Sequence, residues 1–243
     1  MKDDFILEDL ELIEITNAKS DFAKQVLKIY KDAFPIETRE TGKEIKSYIK
    51  DAQKGDWEIG EIFRILALKL GDKIVAFSMY SYEFKRRLGY LYYIAVQKDL
   101  RQLGIGTWMF LSNLEAIKKD AKTHSNNQPL GLCWEVDRPK DVEEIEEKTI
   151  REKRIRFYKK CGGILISDVD YLAPPLREGT PELPFYLMFC FADETKTEVS
   201  VETVKSIIDI LLLKNYGAKK SSKYYQNAIN TLPENPVQKD LII

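Results

Sequence analysis

The sequence predicts an α/β fold in which helices flank a central sheet, with extra helices at the C-terminal end. Three observations favour it. Apolar, strand-like runs alternate with runs of helical period over residues 10–192. A tight polar turn at residues 71–73 separates two of the strand-like runs. A nearly continuous apolar run at residues 89–96 is soon followed by a glycine turn and a helical pattern, which is typical of a buried strand leading into a helix.

The N-terminal part predicts one strand and two helices. Residues 10–15 alternate between apolar and acidic side chains, as a half-buried strand does. Ser20 suits the N-cap of a helix whose apolar positions continue to Phe34, and Pro35 ends that helix. A second amphipathic helix is predicted over residues 41–53.

The middle of the chain predicts most of the sheet. Residues 63–70 and 74–82 form a hairpin around the polar turn, and residues 89–96 form the central strand. From Gly104 to Ala121 the apolar residues recur at helical spacing. Further elements are a strand at 130–136, a charged helix at 142–160 and strands at 164–172 and 185–191.

The C-terminal part predicts helices outside this pattern, at residues 201–213 and 223–229. We therefore predict a main domain over residues 1–195 and a helical extension over 196–243 that packs on the domain or on a partner chain. The apolar face of the first helix needs a cover, and a homodimer is one way to supply it.

The composition is that of an ordinary globular protein, with 44% hydrophobic residues and 38 basic against 39 acidic residues. It indicates neither nucleic acid nor membrane as a partner. The acidic N-terminus lacks the features of a secretory signal and no apolar run is long enough to cross a bilayer, so we expect a cytoplasmic protein.

Histidine and cysteine restrict the chemistry. A catalytic triad would have to use His124, the only histidine, which the pattern places at a solvated helix end. The three cysteines are widely spaced in apolar or helical contexts, which predicts buried thiols rather than a disulfide framework or a zinc site. We expect no metal.

The glycine turn at residues 101–106 is the feature that predicts a ligand. Backbone N–H groups at a helix start lack intrahelical partners and lie at the positive end of the helix dipole, so they can bind an anion. A dinucleotide fold needs a third glycine where Met109 stands. A P-loop needs Gly-Lys-Ser/Thr, which Gly106 and Thr107 do not provide.

Residues 101–106, Arg-Gln-Leu-Gly-Ile-Gly, come after the strand ending at Val96. They resemble the Arg/Gln-x-x-Gly-x-Gly/Ala acetyl-CoA signature of the GNAT acetyltransferase superfamily. Residues 156–163, Arg-Phe-Tyr-Lys-Lys-Cys-Gly-Gly, resemble its second marker, a helix ending in Phe-Tyr-x-x-x-Gly. The order of elements over residues 10–192 is also similar. The resemblance implies the GNAT fold, a central mixed, mostly antiparallel twisted sheet flanked by helices.

The resemblance implies an N-acetyltransferase in which a primary amine, on a small molecule or a peptide, attacks the thioester of acetyl-CoA directly. Backbone groups of the turn would hold the pyrophosphate, and the end of the central strand would pair with pantetheine. The cofactor-binding residues so implied are Ile94, Ala95, Val96, Arg101, Gln102, Leu103, Gly104, Ile105, Gly106 and Thr107. Tyr158 matches the tyrosine that protonates the departing CoA thiolate in many members.

The general base stays open, because Tyr90 stands where some relatives carry a glutamate on the central strand. Glu135 is the first candidate and Glu83 the second, and a water relay without a dedicated carboxylate is equally compatible. Two other functions also stay open: a catalytically silent acyl-CoA-binding regulatory protein, and an acyltransferase that uses a longer acyl-CoA. The acceptor is not predicted, since superfamily members choose it through variable loops.

Overall fold

The structure is a computed structural model that describes residues 9–55 and 60–239. Its strands are β1 (Leu10–Glu14), β2 (Glu61–Leu70), β3 (Lys73–Glu83), β4 (Leu88–Val96), β5 (Gly131–Asp137), β6 (Ile164–Ile166), β7 (Leu172–Ala173), β8 (Leu183–Phe191), β9 (Glu198–Val199) and β10 (Val237–Gln238). Its α-helices are α1 (Asp21–Ala33), α2 (Gly42–Lys54), α3 (Ile105–His124), α4 (Ile145–Lys160), α5 (Val201–Ile208) and α6 (Lys223–Asn230).

The main sheet has the strand order β1-β2-β3-β4-β5-β8-β6, and β7 pairs with β8 outside this path. The β4–β5 pair is parallel, whereas the pairs β1–β2, β2–β3, β5–β8 and β6–β8 are antiparallel. The sheet is therefore mixed and mostly antiparallel, which confirms the predicted fold class. Strands β9 and β10 form a separate antiparallel pair.

The chain divides into two compact units, and strand β4 contributes to both. The first unit comprises the described residues up to Lys85 together with Leu91–Gln128. The second unit comprises Arg86–Tyr90 and the described residues from Pro129 onward, which include those after residue 195.

Helices α1 and α2 begin with side-chain caps and bury one face each in the first unit. The Ser20 hydroxyl accepts from the Ala23 N–H at 3.1 Å. Thr41 and Glu44 form a reciprocal capping box, in which each side chain accepts from the other's backbone N–H. Tyr30 and Ile45 lie in the core that these helices form with the sheet, being 0% and 1% exposed. The two predicted helices are confirmed to within a residue.

An ion-pair network ties together three elements of the first unit. The Arg64 guanidinium on β2 lies 2.8 Å from the Glu14 carboxylate on β1. It also donates through Nε at 2.9 Å to Asp120 on α3, a residue only 2% exposed. The Tyr80 hydroxyl donates to the same carboxylate at 2.9 Å. The buried charge of Asp120 is thus compensated by a cation and a hydroxyl donor.

In the second unit the structure corrects two predicted boundaries. Helix α4 begins at Ile145 rather than at residue 142, because Pro139–Asp141 forms a separate 3₁₀ turn. The single strand predicted over residues 164–172 is wrong: β6 ends at Ile166 and β7 is only two residues long. Between them the backbone turns away, and the Asp170 N–H donates to the Thr231 hydroxyl at 2.8 Å instead of to a strand.

Helix α5 continues as a π-helix over Asp209–Asn215, so the helix predicted at residues 201–213 is not one regular α-helix. Its apolar side chains are covered within this chain. Those with no exposed surface are Val204, Ile207, Ile208, Ile210, Leu211 and Leu212. This face therefore does not need a second copy as its cover. Among the described helices, none has both the length and the apolar character that a membrane span would require.

Candidate active site

The glycine turn stands at the N-terminus of α3 in the first unit. Gly104 is the N-cap residue and adopts the left-handed conformation, with φ 81° and ψ −12°. No side chain caps this helix start, and its first turn contains no acidic residue. Gly104 and Thr107 are exposed, whereas the Ile105 side chain is 1% exposed and anchors the turn to the core. The helix start therefore presents backbone donors to solvent without competition from a carboxylate.

The turn is attached to the end of β4. The Gln97 N–H donates to the Val75 carbonyl at 2.9 Å, and the Gln97 side-chain amide donates to the Ile74 carbonyl at 2.6 Å. Exposed Arg101 folds back, and its Nε lies 3.3 Å from the Val96 carbonyl oxygen. Gln102 has a positive φ of 70°, so both Gln102 and Gly104 of the turn adopt left-handed backbone.

Strand β4 extends beyond the residues that pair with β5. The parallel register runs from Leu88↔Gly131 to Tyr90↔Cys133, whereas β4 itself continues to Val96. No described β5 residue continues the register along Ile94, Ala95 and Val96. A strand edge beyond its paired register can accept an extended ligand by β-augmentation, through its main-chain groups.

Tyr158 lies near the end of α4 in the second unit, and its side chain is 7% exposed. Its ring centroid is 4.8 Å from that of Trp134 on β5 and 5.0 Å from that of Phe157. Burial raises the pKa of Tyr158 above its ordinary value. The phenol therefore keeps its proton at neutral pH.

Glu135 on β5 is half-buried and accepts hydrogen bonds from three tyrosines of the second unit. The Tyr171 hydroxyl donates to Oε1 at 2.6 Å, and the Tyr90 and Tyr216 hydroxyls donate to Oε2 at 2.7 Å and 3.2 Å. Burial raises the pKa of Glu135, while the three hydroxyls oppose that rise. We call Tyr90, Tyr171 and Tyr216 the tyrosine cage.

The second base candidate, Glu83, belongs to the first unit, whereas Glu135 belongs to the second. Glu83 lies at the end of β3, 6% exposed, and its register partner on β2 is Glu61. Glu135 and Tyr90, by contrast, are in direct contact. Tyr90 stands where the resemblance implied a glutamate in some members, and its hydroxyl donates to a carboxylate on the neighbouring strand β5.

Residues 23–138 match the model of the Acetyltransferase (GNAT) family. This stretch contains β4, the glycine turn and all of α3. This stretch is a GNAT acetyltransferase domain. It is therefore an acyltransferase.

Solved structures agree with this GNAT fold. A protein from Bacteroides thetaiotaomicron assigned to the GNAT family matches with a TM-score of 0.63 at 24% identity, over 86% of this chain and 99% of its own. A second protein so assigned, from Desulfovibrio desulfuricans, matches with a TM-score of 0.50 at 12% identity, over 75% and 99% of the two chains. No curated protein matches the chain. At these identities the likeness concerns the fold.

The GNAT family uses acetyl-CoA, and the residues of the turn suit that ligand. An uncapped helix start with a left-handed glycine and no first-turn carboxylate is a donor set for a diphosphate. No group of three or more potential metal ligands occurs in the described part of the chain.

Two residues that contact the candidate base Glu135 escaped the sequence analysis, Tyr171 and Tyr216. They are 36 and 81 positions from Glu135, and one follows a broken strand while the other ends a π-helix. Glu135 itself was suggested by its polarity within an apolar strand. Neither tyrosine carries such a signal, because each follows apolar or mixed sequence in which an aromatic side chain is unremarkable.

Proposed function

We propose that this chain is an acetyl-CoA-dependent N-acetyltransferase that moves an acetyl group to a primary amine by direct attack on the thioester. One observation carries the proposal: the exposed, uncapped start of α3 at Gly104, in the turn that follows β4 and within the segment that matches the GNAT family. When bound, acetyl-CoA supplies the acetyl group as a thioester.

The first unit supplies the cofactor-binding groups. Backbone N–H groups of residues 103–107 hold the pyrophosphate, because they lie at the positive end of a 20-residue helix. Main-chain groups of Ile94, Ala95 and Val96 beyond the β5 register hold the pantetheine amides as an added strand would. Gln102 shapes the turn through its positive φ, and Arg101 does so through its exposed side chain, which folds back onto the Val96 carbonyl.

Glu135 takes the proton from the acceptor amine. A carboxylate offers about four acceptor positions, and the tyrosine cage occupies three of them, two on Oε2 and one on Oε1. One position on Oε1 remains for the ammonium N–H or for a water that relays its proton. Burial moves the pKa of Glu135 upward, toward neutral pH, and a general base is most effective when its pKa lies near the pH at which the enzyme works.

Tyr158 gives its hydroxyl proton to the departing sulfur. Its buried ring is fixed between Trp134 and Phe157, and the protonated phenol is the stable form at neutral pH. Tyr158 and Glu135 have separate roles: as the C–N bond forms and the C–S bond breaks, one proton leaves nitrogen for Glu135 and another reaches sulfur from Tyr158.

The test combines a binding and a turnover measurement. Calorimetry with acetyl-CoA should show binding to the wild type and equally to Glu135→Gln and Tyr158→Phe. Thiol release with a panel of primary amines should fall about 100- to 10,000-fold in both variants. Tyr224→Phe is the matched control, because Tyr224 donates to Glu182 at the surface and should leave both measurements unchanged.

Two results would overturn the proposal. If the protein does not bind acetyl-CoA, the proposed cofactor is wrong. If it binds acetyl-CoA but no amine causes thiol release, the proposed reaction is wrong. If Glu135→Gln is fully active and only Tyr158→Phe loses activity, Glu135 is not the base and a water relay takes the proton instead.

A further inference from the structure

Tyr216, in the C-terminal segment, contacts the Glu135 carboxylate. Its hydroxyl lies 3.2 Å from Oε2, the oxygen that also accepts from Tyr90 at 2.7 Å. Two donors from distant parts of the second unit therefore hold one oxygen of Glu135, while Tyr171 holds the other.

The π-helix determines where Tyr216 stands. The Tyr216 N–H donates to the Leu211 carbonyl at 3.0 Å, five residues earlier, whereas in an α-helix that carbonyl would accept from Asn215. One extra residue in the turn places Tyr216 above Leu211, which has no exposed surface. Stretches of π-helix are often found at functional sites, because the added residue re-aims a side chain.

The segment that carries Tyr216 is fixed in place. Ile210, Leu211 and Leu212 are fully buried, and the Asn215 side-chain amide donates to the Ile210 carbonyl at 2.8 Å. The Tyr216 hydroxyl is thus delivered by a packed helix and not by a loose tail.

We infer that Tyr216 is a positioning residue for Glu135, through which the C-terminal segment holds the base in its productive orientation and sets how readily it accepts a proton. The inference rests on the proposed role of Glu135. It makes the C-terminal segment a part of the catalytic machinery and not an appendage to it.

The groups that face Glu135 decide the direction of the effect. They are the three cage hydroxyls and, from its own strand, Cys133 and Asp137. The hydroxyls stabilise the carboxylate and lower its pKa, whereas burial and the Asp137 charge raise it. Removing one hydroxyl must therefore raise the pKa of Glu135. At a given pH below that pKa, less of the enzyme then holds the base in its carboxylate form.

The experiment compares Tyr216→Phe with Tyr225→Phe in the full chain. Both tyrosines lie in the C-terminal segment, and each change removes one hydroxyl that donates to a carboxylate. Tyr216 donates to Glu135, whereas Tyr225 donates to Asp209. Two properties are measured: the dependence of kcat/KM on pH with acetyl-CoA and the best amine of the panel, and the pKa of Glu135 from the ¹³C NMR signal of its labelled carboxyl group.

For Tyr216→Phe we expect the acid limb of kcat/KM and the NMR pKa to move upward together by about one pH unit. On that limb the rate then falls about tenfold relative to the wild type. Tyr225→Phe should follow the wild-type profile. Tyr171→Phe, which removes the shortest of the three bonds, should shift both values at least as far.

The outcomes separate this inference from the proposed function. An unmoved NMR pKa in Tyr216→Phe, or an equal shift in Tyr225→Phe, overturns the positioning role whatever the activity. An NMR shift with an unchanged rate profile, together with an active Glu135→Gln enzyme, instead rejects Glu135 as the base, and with it the role inferred for Tyr216.

Discussion

A methyl group at Gly163 has no room, and Gly163→Ala therefore tests how tightly the end of α4 is held against β5. A Cβ atom built there would lie 2.9 Å from the Tyr158 carbonyl oxygen and 3.1 and 3.2 Å from the Cη2 and Cζ2 atoms of Trp134. The carbonyl cannot move away freely, because it already accepts the Gly163 N–H at 2.9 Å and so closes the helix.

Forcing a methyl group into a packed core costs about 1–3 kcal/mol, and for a chain of this size each kcal/mol lowers Tm by roughly 2–4 °C. We therefore expect Gly163→Ala to lower Tm by about 2 to 12 °C. Its kcat should fall further than the loss of folded protein explains, because the displaced carbonyl belongs to Tyr158, the proposed acid.

Scanning calorimetry and the thiol-release assay measure the two effects, with Gly42→Ala as the control. Gly42 is the first residue of α2, and a Cβ there meets the flexible Lys31 side chain at 3.4 Å and Leu27 Cδ2 at an ordinary 3.9 Å. Alanine should match or exceed glycine in stability at that helical position. The double variant Trp134→Phe/Gly163→Ala should be destabilised less than the two single changes sum to, because phenylalanine removes the crowded indole atoms. A Gly163→Ala protein with wild-type Tm and kcat would refute this reasoning.

Two further predictions concern the first unit. Asp120→Ala should lower the free energy of unfolding by about 3–5 kcal/mol in urea titrations, because Arg64 loses its buried partner; Glu115→Ala, whose pair with Lys118 is exposed, should cost no more than about 1 kcal/mol. Gly104→Ala should cost about 1–2 kcal/mol, because an L-residue is strained at φ 81°. It should also weaken acetyl-CoA binding by at least about tenfold, and unchanged affinity in calorimetry would show that the turn does not hold the ligand.

Local patterns were enough to predict most elements of the first unit. The Ser20 and Thr41 caps lie next to the periodic runs that they start, so both helix beginnings follow from a few neighbouring residues. The β2–β3 hairpin follows in the same way from its turn at Gly71. In each case the deciding interactions join residues close together in the chain.

The predicted strand at residues 164–172 failed because distant contacts outweighed local propensity. The Asp170 N–H binds Thr231, and the Tyr171 hydroxyl binds Glu135, 61 and 36 positions away. Pairing of a whole strand would have to give up both bonds. A pattern confined to residues 164–172 contains no trace of either partner.

The sequence by itself determined the family signature, the glycine turn and the candidacy of Tyr158 and Glu135, because each depends on residue types within a short window. Only the tertiary structure decided what surrounds the candidate base. The hydroxyls of Tyr90, Tyr171 and Tyr216 come from 45, 36 and 81 positions away. Whether a carboxylate is caged or exposed is a property of the packed chain, since it depends on side chains that only folding brings together.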